Sequence, residues 1–406
     1  EAFAKNVCQP AELEYEKHMK YRTGAERWCT EAVPPCIDRI KAEAKKLGLW
    51  NLFLPHQLPG FIVRDYPNLS PPVYLTNREY GILCEIMGRS FLAPEACNCS
   101  APDTGNMEVL LKHGSTEQQR KYLKPLLEGS IRSSFLMTEP DVASSDATNI
   151  ETKLTKIIDA ASGETRYVLN GKKWWSSGAM DPRCKIAVVL ARMDYSHPSC
   201  SSNRTNSKNM PSKHGAHTMV LVPTDSPGVR MVRPLTVFGY DDAPHGHAEV
   251  ALENVALDHS ALLLGEGRGF EIAQSRLGPG RIHHCMRAVG LASRCYELML
   301  ARSIERKTFG KSLYEHGGCQ EMIADSATDV EAARLLTLSC AVAIDEMGAA
   351  SARDKIAMIK VAVPDLTFRV ADRAVQVFGG AGVSGDFPLA QALAGFWALR
   401  ILGGPG

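Results

Sequence analysis

The chain carries almost no net charge: 46 basic against 45 acidic side chains leave +1 over 406 residues. Without an excess positive field it has no electrostatic means of gathering a polyanion, which argues against nucleic-acid binding. No apolar run approaches the roughly 20 residues that cross a bilayer, so integral membrane association is not expected. Twelve cysteines lack any Cys-x-x-Cys pair or repeated spacing. That pattern excludes a disulfide framework and points to reduced thiols. Cys97 with Cys99, and His245 with His247, have no matching second pair and read as structural residues, with no metal expected. The opening segment has no apolar signal core and starts at Glu1, as a mature product or an excised region would.

With 45% hydrophobic and 22% charged residues, the chain can bury a large core divided among two or three layered units. Residues 1–131 read as helical, with Ile82, Leu83, Ile86 and Met87 at three-to-four spacing. Residues 132–257 change to short strands such as 185–191 and 218–222, with turns expected at Asn170-Gly171 and Ser226-Pro227-Gly228. The Ser/Asn/Lys-rich stretch 195–215 reads as an exposed loop. Residues 258–406 return to helices. One starts at Gly278-Pro279-Gly280 and carries Ile282, Met286, Val289, Ala292, Tyr296 and Met299. A second has Ile323, Ala327, Val330, Thr337, Cys340, Ile344 and Met347 on its stripe, and a third has Ile356, Ile359, Val363, Leu366, Val370 and Val377. The expected fold class is α+β multidomain: a helical N-terminal domain, a β-barrel-like middle domain and a C-terminal helical bundle.

Two segments carry the chemistry. Phe135-Leu136-Met137-Thr138-Glu139-Pro140 runs on to Ser144-Ser145-Asp146, and about thirty residues later stands Lys172-Lys173-Trp174-Trp175-Ser176-Ser177-Gly178. Hydroxyls and backbone amides can hydrogen-bond the edge of an isoalloxazine ring while a tryptophan face covers it and excludes water. Either segment taken alone also suits an ordinary hairpin, because Thr, Ser and Trp are common on strands. Downstream stand Arg306-Lys307-Thr308-Phe309-Gly310 and Gln376-Val377-Phe378-Gly379-Gly380.

In this order the four motifs resemble the acyl-CoA dehydrogenase family over nearly the whole chain. Asn98 to Met107 and Gly278 to His284 look most like its members ten and eleven, large eukaryotic proteins with a phosphotransferase-like domain ahead of the dehydrogenase. The resemblance implies FAD as cofactor and α,β-dehydrogenation of an acyl-CoA to a trans-2-enoyl-CoA in fatty-acid β-oxidation. Electrons would pass to an electron-transfer flavoprotein or to oxygen, in a mitochondrion or peroxisome. It implies that Phe135, Met137, Thr138 and Ser145 line the flavin edge, with Trp175 on the ring and Ser177 near N5. Trp174 takes the shielding place if the register slips by one. Arg306, Thr308, Phe309 and Gln320 would reach a FAD held mainly by a neighbouring subunit, and Gln376, Gly379 and Gly380 would let backbone approach phosphates, so a dimer or tetramer is implied. Acyl-CoA would meet Ser144, Gly278, Pro279, Gly280, Arg281 and Gly404. Arg281 is expected at a helix start suited to a CoA phosphate, with His283 and His284 in the core rather than acting as bases.

One element departs from the family. Its catalytic carboxylate sits near the C-terminus, in the run matched here by Arg400-Ile401-Leu402-Gly403-Gly404, or just before the arginine matched by Arg281. Those positions hold Gly403 and Gly280, so no catalytic residue is identified. A truncated dehydrogenase or a silent flavin- and acyl-CoA-binding relative would both look like this, the expected rate loss for a missing base being about 10²- to 10⁴-fold.

Overall fold

A computed structural model describes residues 1–54, 58–69, 71, 73–159, 161–203 and 213–402. Local chemistry starts the first helices. Helix α1 (Gln9–Met19) and α2 (Pro35–Lys46) place proline in their first two positions, where a missing N–H costs nothing. Helix α3 (Asn77–Gly88) opens on a capping box: the Thr76 hydroxyl accepts from the Glu79 N–H at 3.2 Å, and the Glu79 carboxylate accepts from the Thr76 N–H at 2.9 Å. Its buried face is Tyr80, Gly81, Cys84 and Met87. The periodicity reading was therefore turned by part of a turn, since Ile82 points outward. Helix α4 (Asp103–His113) follows and leads toward the sheet.

The strands are β1 (Arg132–Leu136), β2 (Lys153–Ile158), β3 (Thr165–Ser177), β4 (Cys184–Asp194), β5 (His217–Pro223), β6 (Val229–Leu235), β7 (His247–Asp258) and β8 (Leu262–Leu263). They form one mixed sheet in the order β6-β7-β3-β2-β4-β5-β8, with β1 parallel to β4. The sheet thus runs a few residues beyond Leu257. Strand alternation on β4 serves two cores: Ile186, Val188 and Leu190 pack with the helices, while Ala187, Val189 and Ala191 pack within the sheet's own cluster around Leu154, Tyr167 and Val250. Ser226-Pro227-Gly228 makes the expected turn between β5 and β6. Asn170-Gly171 does not turn. It lies inside β3 at a register shift opposite β7, and glycine is required there because a Cβ would overlap Thr152. In the stretch read as a loop, residues 198–203 form a 3₁₀ turn, and 204–212 lie outside the described residues.

Among the described residues, four α-helices form the last unit: α5 (Gly269–Glu305), α6 (Gly317–Met347), α7 (Arg353–Phe378) and α8 (Leu389–Ile401). Helix α5 does not start at Gly278-Pro279-Gly280 but runs straight through it. Pro279 lacks one backbone donor, yet Ile272, Ala273 and Ile282 are fully buried on either side, and that packing outweighs the local break signal. On α6 the buried stripe includes Ser326, Asp329, Val330 and Ala333, whereas Ala327 and Met347 are exposed. Asp329 is kept there by Arg369 (2.9 Å) and Arg373 (2.7 Å) from α7.

Helices α3 and α5 cross at two glycines. A Cβ on Gly290 would overlap the Glu85 carbonyl oxygen, and one on Gly88 the Arg287 carbonyl oxygen. Backbone cannot yield as a side-chain tip can, so Gly290→Ala is expected to lower stability by about 1–3 kcal/mol or more. Urea denaturation checks this, and a midpoint equal to the parent's would show that the helices do not meet here.

Candidate active site

Beyond Leu136 the chain leaves the sheet, and the segment that follows is held from behind by one side chain. Lys173, fully buried on β3, donates from Nζ to the Glu139 carboxylate (2.8 Å), the Leu190 carbonyl (2.7 Å) and the Met137 carbonyl (3.0 Å). Glu139 also accepts from the backbone N–H groups of Glu151 (2.8 Å) and Thr152 (2.9 Å). Burial pushes the Lys173 ammonium down to about 8 against the pull of Glu139. Burial also works against the Glu139 charge, but Lys173 and the two N–H donors outweigh it and hold the carboxyl below its usual range. One residue on, the Trp174 N–H bonds the Thr138 carbonyl at 3.0 Å. The Ser144 hydroxyl accepts from the Glu139 N–H at 2.9 Å and so is engaged within the turn, while Ser145 is exposed. Phe135, half-buried, is covered by the Arg276 guanidinium 3.9 Å from its ring centre.

Strand β3 bulges between Lys173 and Ser176, and at the bulge Trp175 adopts φ +50° and stands 40% exposed. Trp174 is half-buried and its indole Nε1 has no hydrogen-bond partner among the described residues. Their rings lie 6.3 Å apart. Trp175 faces His247 across 5.8 Å, and the Ser177 hydroxyl lies 2.9 Å from His247 Nδ1, whose other ring nitrogen is 3.4 Å from Asp242. The hydroxyl of Ser176 is buried without a partner.

The other motifs gather at one end of the bundle. Arg306 caps α5 and is exposed, and Thr308 pairs with Lys311 in a two-strand hairpin whose turn is Phe309-Gly310. Both turn residues have φ near that of a left-handed turn, +49° and +82°, and Phe309 is 94% exposed. Arg302, one turn before Arg306, stacks over Phe378 at 5.3 Å, next to Gly379. Gly379 ends α7 at φ +62°, and the space a Cβ would take at Gly379 or Gly380 is open. Gln320 and Gln376 are exposed on α6 and α7. Gly278, Pro279, Gly280 and Arg281 all lie within α5, so Arg281 has no helix N-terminus beside it and the anticipated dipole contact to a phosphate is lost. His283 packs edge-on to Tyr80 at 4.6 Å, and burial pushes both His283 and His284 down to about 3, where they stay neutral. Gly403 and Gly404 lie outside the described residues.

Comparison with known proteins identifies the family. Residues 134–255 match the acyl-CoA dehydrogenase middle domain and 267–406 its C-terminal domain. The chain belongs to the acyl-CoA dehydrogenase family. It is 49% identical over 405 residues to acyl-CoA dehydrogenase family member 11 of Rattus norvegicus, covering 99% of this chain and 47% of that protein. It is 47% identical to family member 10 of Mus musculus over 99% of this chain and 35% of that protein. The chain thus spans about half or less of the length of these relatives. A solved Mycobacterium abscessus structure assigned as an acyl-CoA dehydrogenase is 43% identical, with a TM-score of 0.85, 98% of this chain and 90% of that one covered. FAD is the cofactor of this family. The described residues fit one: an unpartnered indole N–H at Trp174 beside the Thr138 segment, and open space over Gly379 and Gly380.

Lys173 and Arg276 at this site, and Glu108, which is electrostatically coupled to Arg276, were not picked out from the sequence. Lys173 stood beside the tryptophans in the quoted motif, but Glu108 and Arg276 gave no local signal. Burial pushes the Glu108 carboxyl up to about 7, opposed by Lys112 and Arg276, and pushes Arg276 down to about 10. Because the folded value of Glu108 is raised, its contribution to stability is fully present below about 4.5 and is lost as pH rises through 7. Glu108→Gln is therefore expected to lose less melting temperature than the parent between pH 5 and pH 8. Parallel pH profiles for the two proteins would refute this.

Proposed function

We propose that this chain is the flavin-dependent region of an enzyme that oxidises the Cα–Cβ bond of an acyl-CoA thioester to a trans-2-enoyl-CoA, as in fatty-acid β-oxidation. The observation that carries the reading is the joining of the Phe135–Glu139 segment to the tryptophans of β3 through Lys173 and the Trp174 N–H. Family membership supports it. When bound, FAD supplies the hydride acceptor. The residues of the chain hold its edge at Met137 and Thr138, cover one face and exclude water. What supports Trp174 over Trp175 as the cover is its backbone bond to Thr138 and its free indole N–H, whereas Trp175 is turned out toward His247. The same shift counts against Ser177 at N5, since its hydroxyl is already beside His247.

A dimer or tetramer completes the reading, since Phe309 is held in a left-handed turn with little among the described residues covering it. The electron acceptor in this proposal is an electron-transfer flavoprotein or oxygen, and the compartment a mitochondrion or peroxisome. Glycine at both family base positions, Gly280 and Gly403, favours a second reading: a catalytically impaired protein that binds flavin and acyl-CoA. Anaerobic titration of the FAD-loaded protein with acyl-CoAs of graded length separates the two. Rapid bleaching of the flavin supports the dehydrogenase, and binding without bleaching supports the impaired form.

Trp174→Ala is expected to change the fluorescence of bound flavin more than Trp175→Ala does, and the reverse order would restore Trp175 as the cover. Phe309→Asp is expected to shift the protein to a smaller assembly in light scattering and to lower its FAD content. An unchanged mass would remove Phe309 from the interface.

A further inference from the structure

We infer that Lys173 is the positioning residue of the flavin edge, setting Met137 and Thr138 in place for the isoalloxazine ring. This rests on the reading that Met137 and Thr138 contact the flavin. A segment that leaves a sheet has no ladder to fix it, so its direction must come from other bonds. Here they come from one buried cation. The three donors of an ammonium go to three acceptors, two on the segment itself, the Met137 carbonyl and the Glu139 carboxylate, and one on β4, the Leu190 carbonyl. Glu139 is in turn fixed by the N–H groups of Glu151 and Thr152 ahead of β2. Met137 and Glu139 flank Thr138, and Trp174, next to Lys173, holds the Thr138 carbonyl. Two strands, β3 and β4, and the chain just ahead of β2 thus bear on one threonine, whose N–H and hydroxyl are not used in any of these bonds.

Removing one partner of a buried ion pair leaves an unpaired charge, which damages a fold whatever the functional role of the pair. The test therefore uses the double variant Lys173→Met/Glu139→Gln, in which no charge is stranded. The expected result is a melting temperature of the FAD-free protein close to the parent's, with FAD binding weakened about tenfold or more and the visible flavin band altered in shape. A loss of that order corresponds to one hydrogen bond from a charged donor. If the double variant binds FAD with the parent's affinity and spectrum, Lys173 does not position the edge and the inference fails. If it does not fold, Lys173→Arg, which keeps the charge on a planar group of different reach, carries the test in the same way. Thr138→Val separates the two layers of the argument. A flavin spectrum and affinity unmoved by Thr138→Val would show that the threonine does not meet the ring, which overturns the underlying reading and with it this inference. A spectrum moved by Thr138→Val but not by the Lys173 variants leaves that reading intact and overturns the inference alone.

Discussion

The first residue of the sheet is also the ionic joint of the protein. Arg132 is 4% exposed and meets Glu95 at 2.7 Å and Asp103 at 2.5 Å, both from the helical region before it. Glu95 also meets Lys41 (2.9 Å) and Arg183 (2.7 Å), and Arg183 meets Asp181 (2.7 Å). Asp103 further accepts from the Ser133 N–H and hydroxyl, at 2.7 and 2.6 Å. Burial disfavours the charges of Glu95 and Arg132, yet the neighbouring cations hold Glu95 well below its usual range, and the carboxylates hold Arg132 in its charged form. Such a network adds less net stability than its contacts suggest, because desolvation offsets most of the attraction. It ties the start of β1 to the helices before it, and the Phe135–Glu139 segment continues directly from β1.

Two buried ionic groups, one at each end of β1, therefore define the segment on which the proposed chemistry depends. Arg132 fixes where β1 begins, and Lys173 fixes where the chain goes after β1 ends. Between them, Asn106 of α4 donates to the Ser133 hydroxyl (2.9 Å) and the Ser134 carbonyl (3.1 Å). Rigid parts of this kind suit a flavin edge, because hydrogen bonds to a redox-active ring act through their direction as much as their presence.

Much of this was legible in the sequence. The change from helical to alternating period near Ser133 and back after β7 marked the order of the units, because those periods reflect which face is buried. The strands at 185–191 and 218–222 were found for the same reason. Misreadings had local causes. Asn170-Gly171 carries a strong turn signal, but the glycine is there to let Thr152 approach. Gly278-Pro279-Gly280 carries a strong break signal, but the burial of Ile272 and Ile282 outweighs it. Neither constraint is local in sequence. The same holds for Lys173: nothing in Lys172-Lys173 says which lysine is buried, since the answer depends on Glu139 and Leu190, which lie on other parts of the chain. The different settings of Trp174 and Trp175 come from the bulge, which follows from how β3 pairs with β7 and has no signal in the Lys-Trp-Trp-Ser run itself.

Helix α5 extends this dependence across the molecule. Its 37 residues make a rod about 55 Å long. Near one end Arg276 lies on Phe135 of the proposed flavin edge, and near the other Arg302 lies on Phe378 beside Gly379. A rod of that length swung by 5° moves its far end by about 5 Å. In the proposed assembly, where the Arg306–Gly310 end reaches a neighbour's cofactor, a single rigid member would couple the flavin ring of one subunit to the nucleotide half of the next, and small displacements at one end would be felt as large ones at the other.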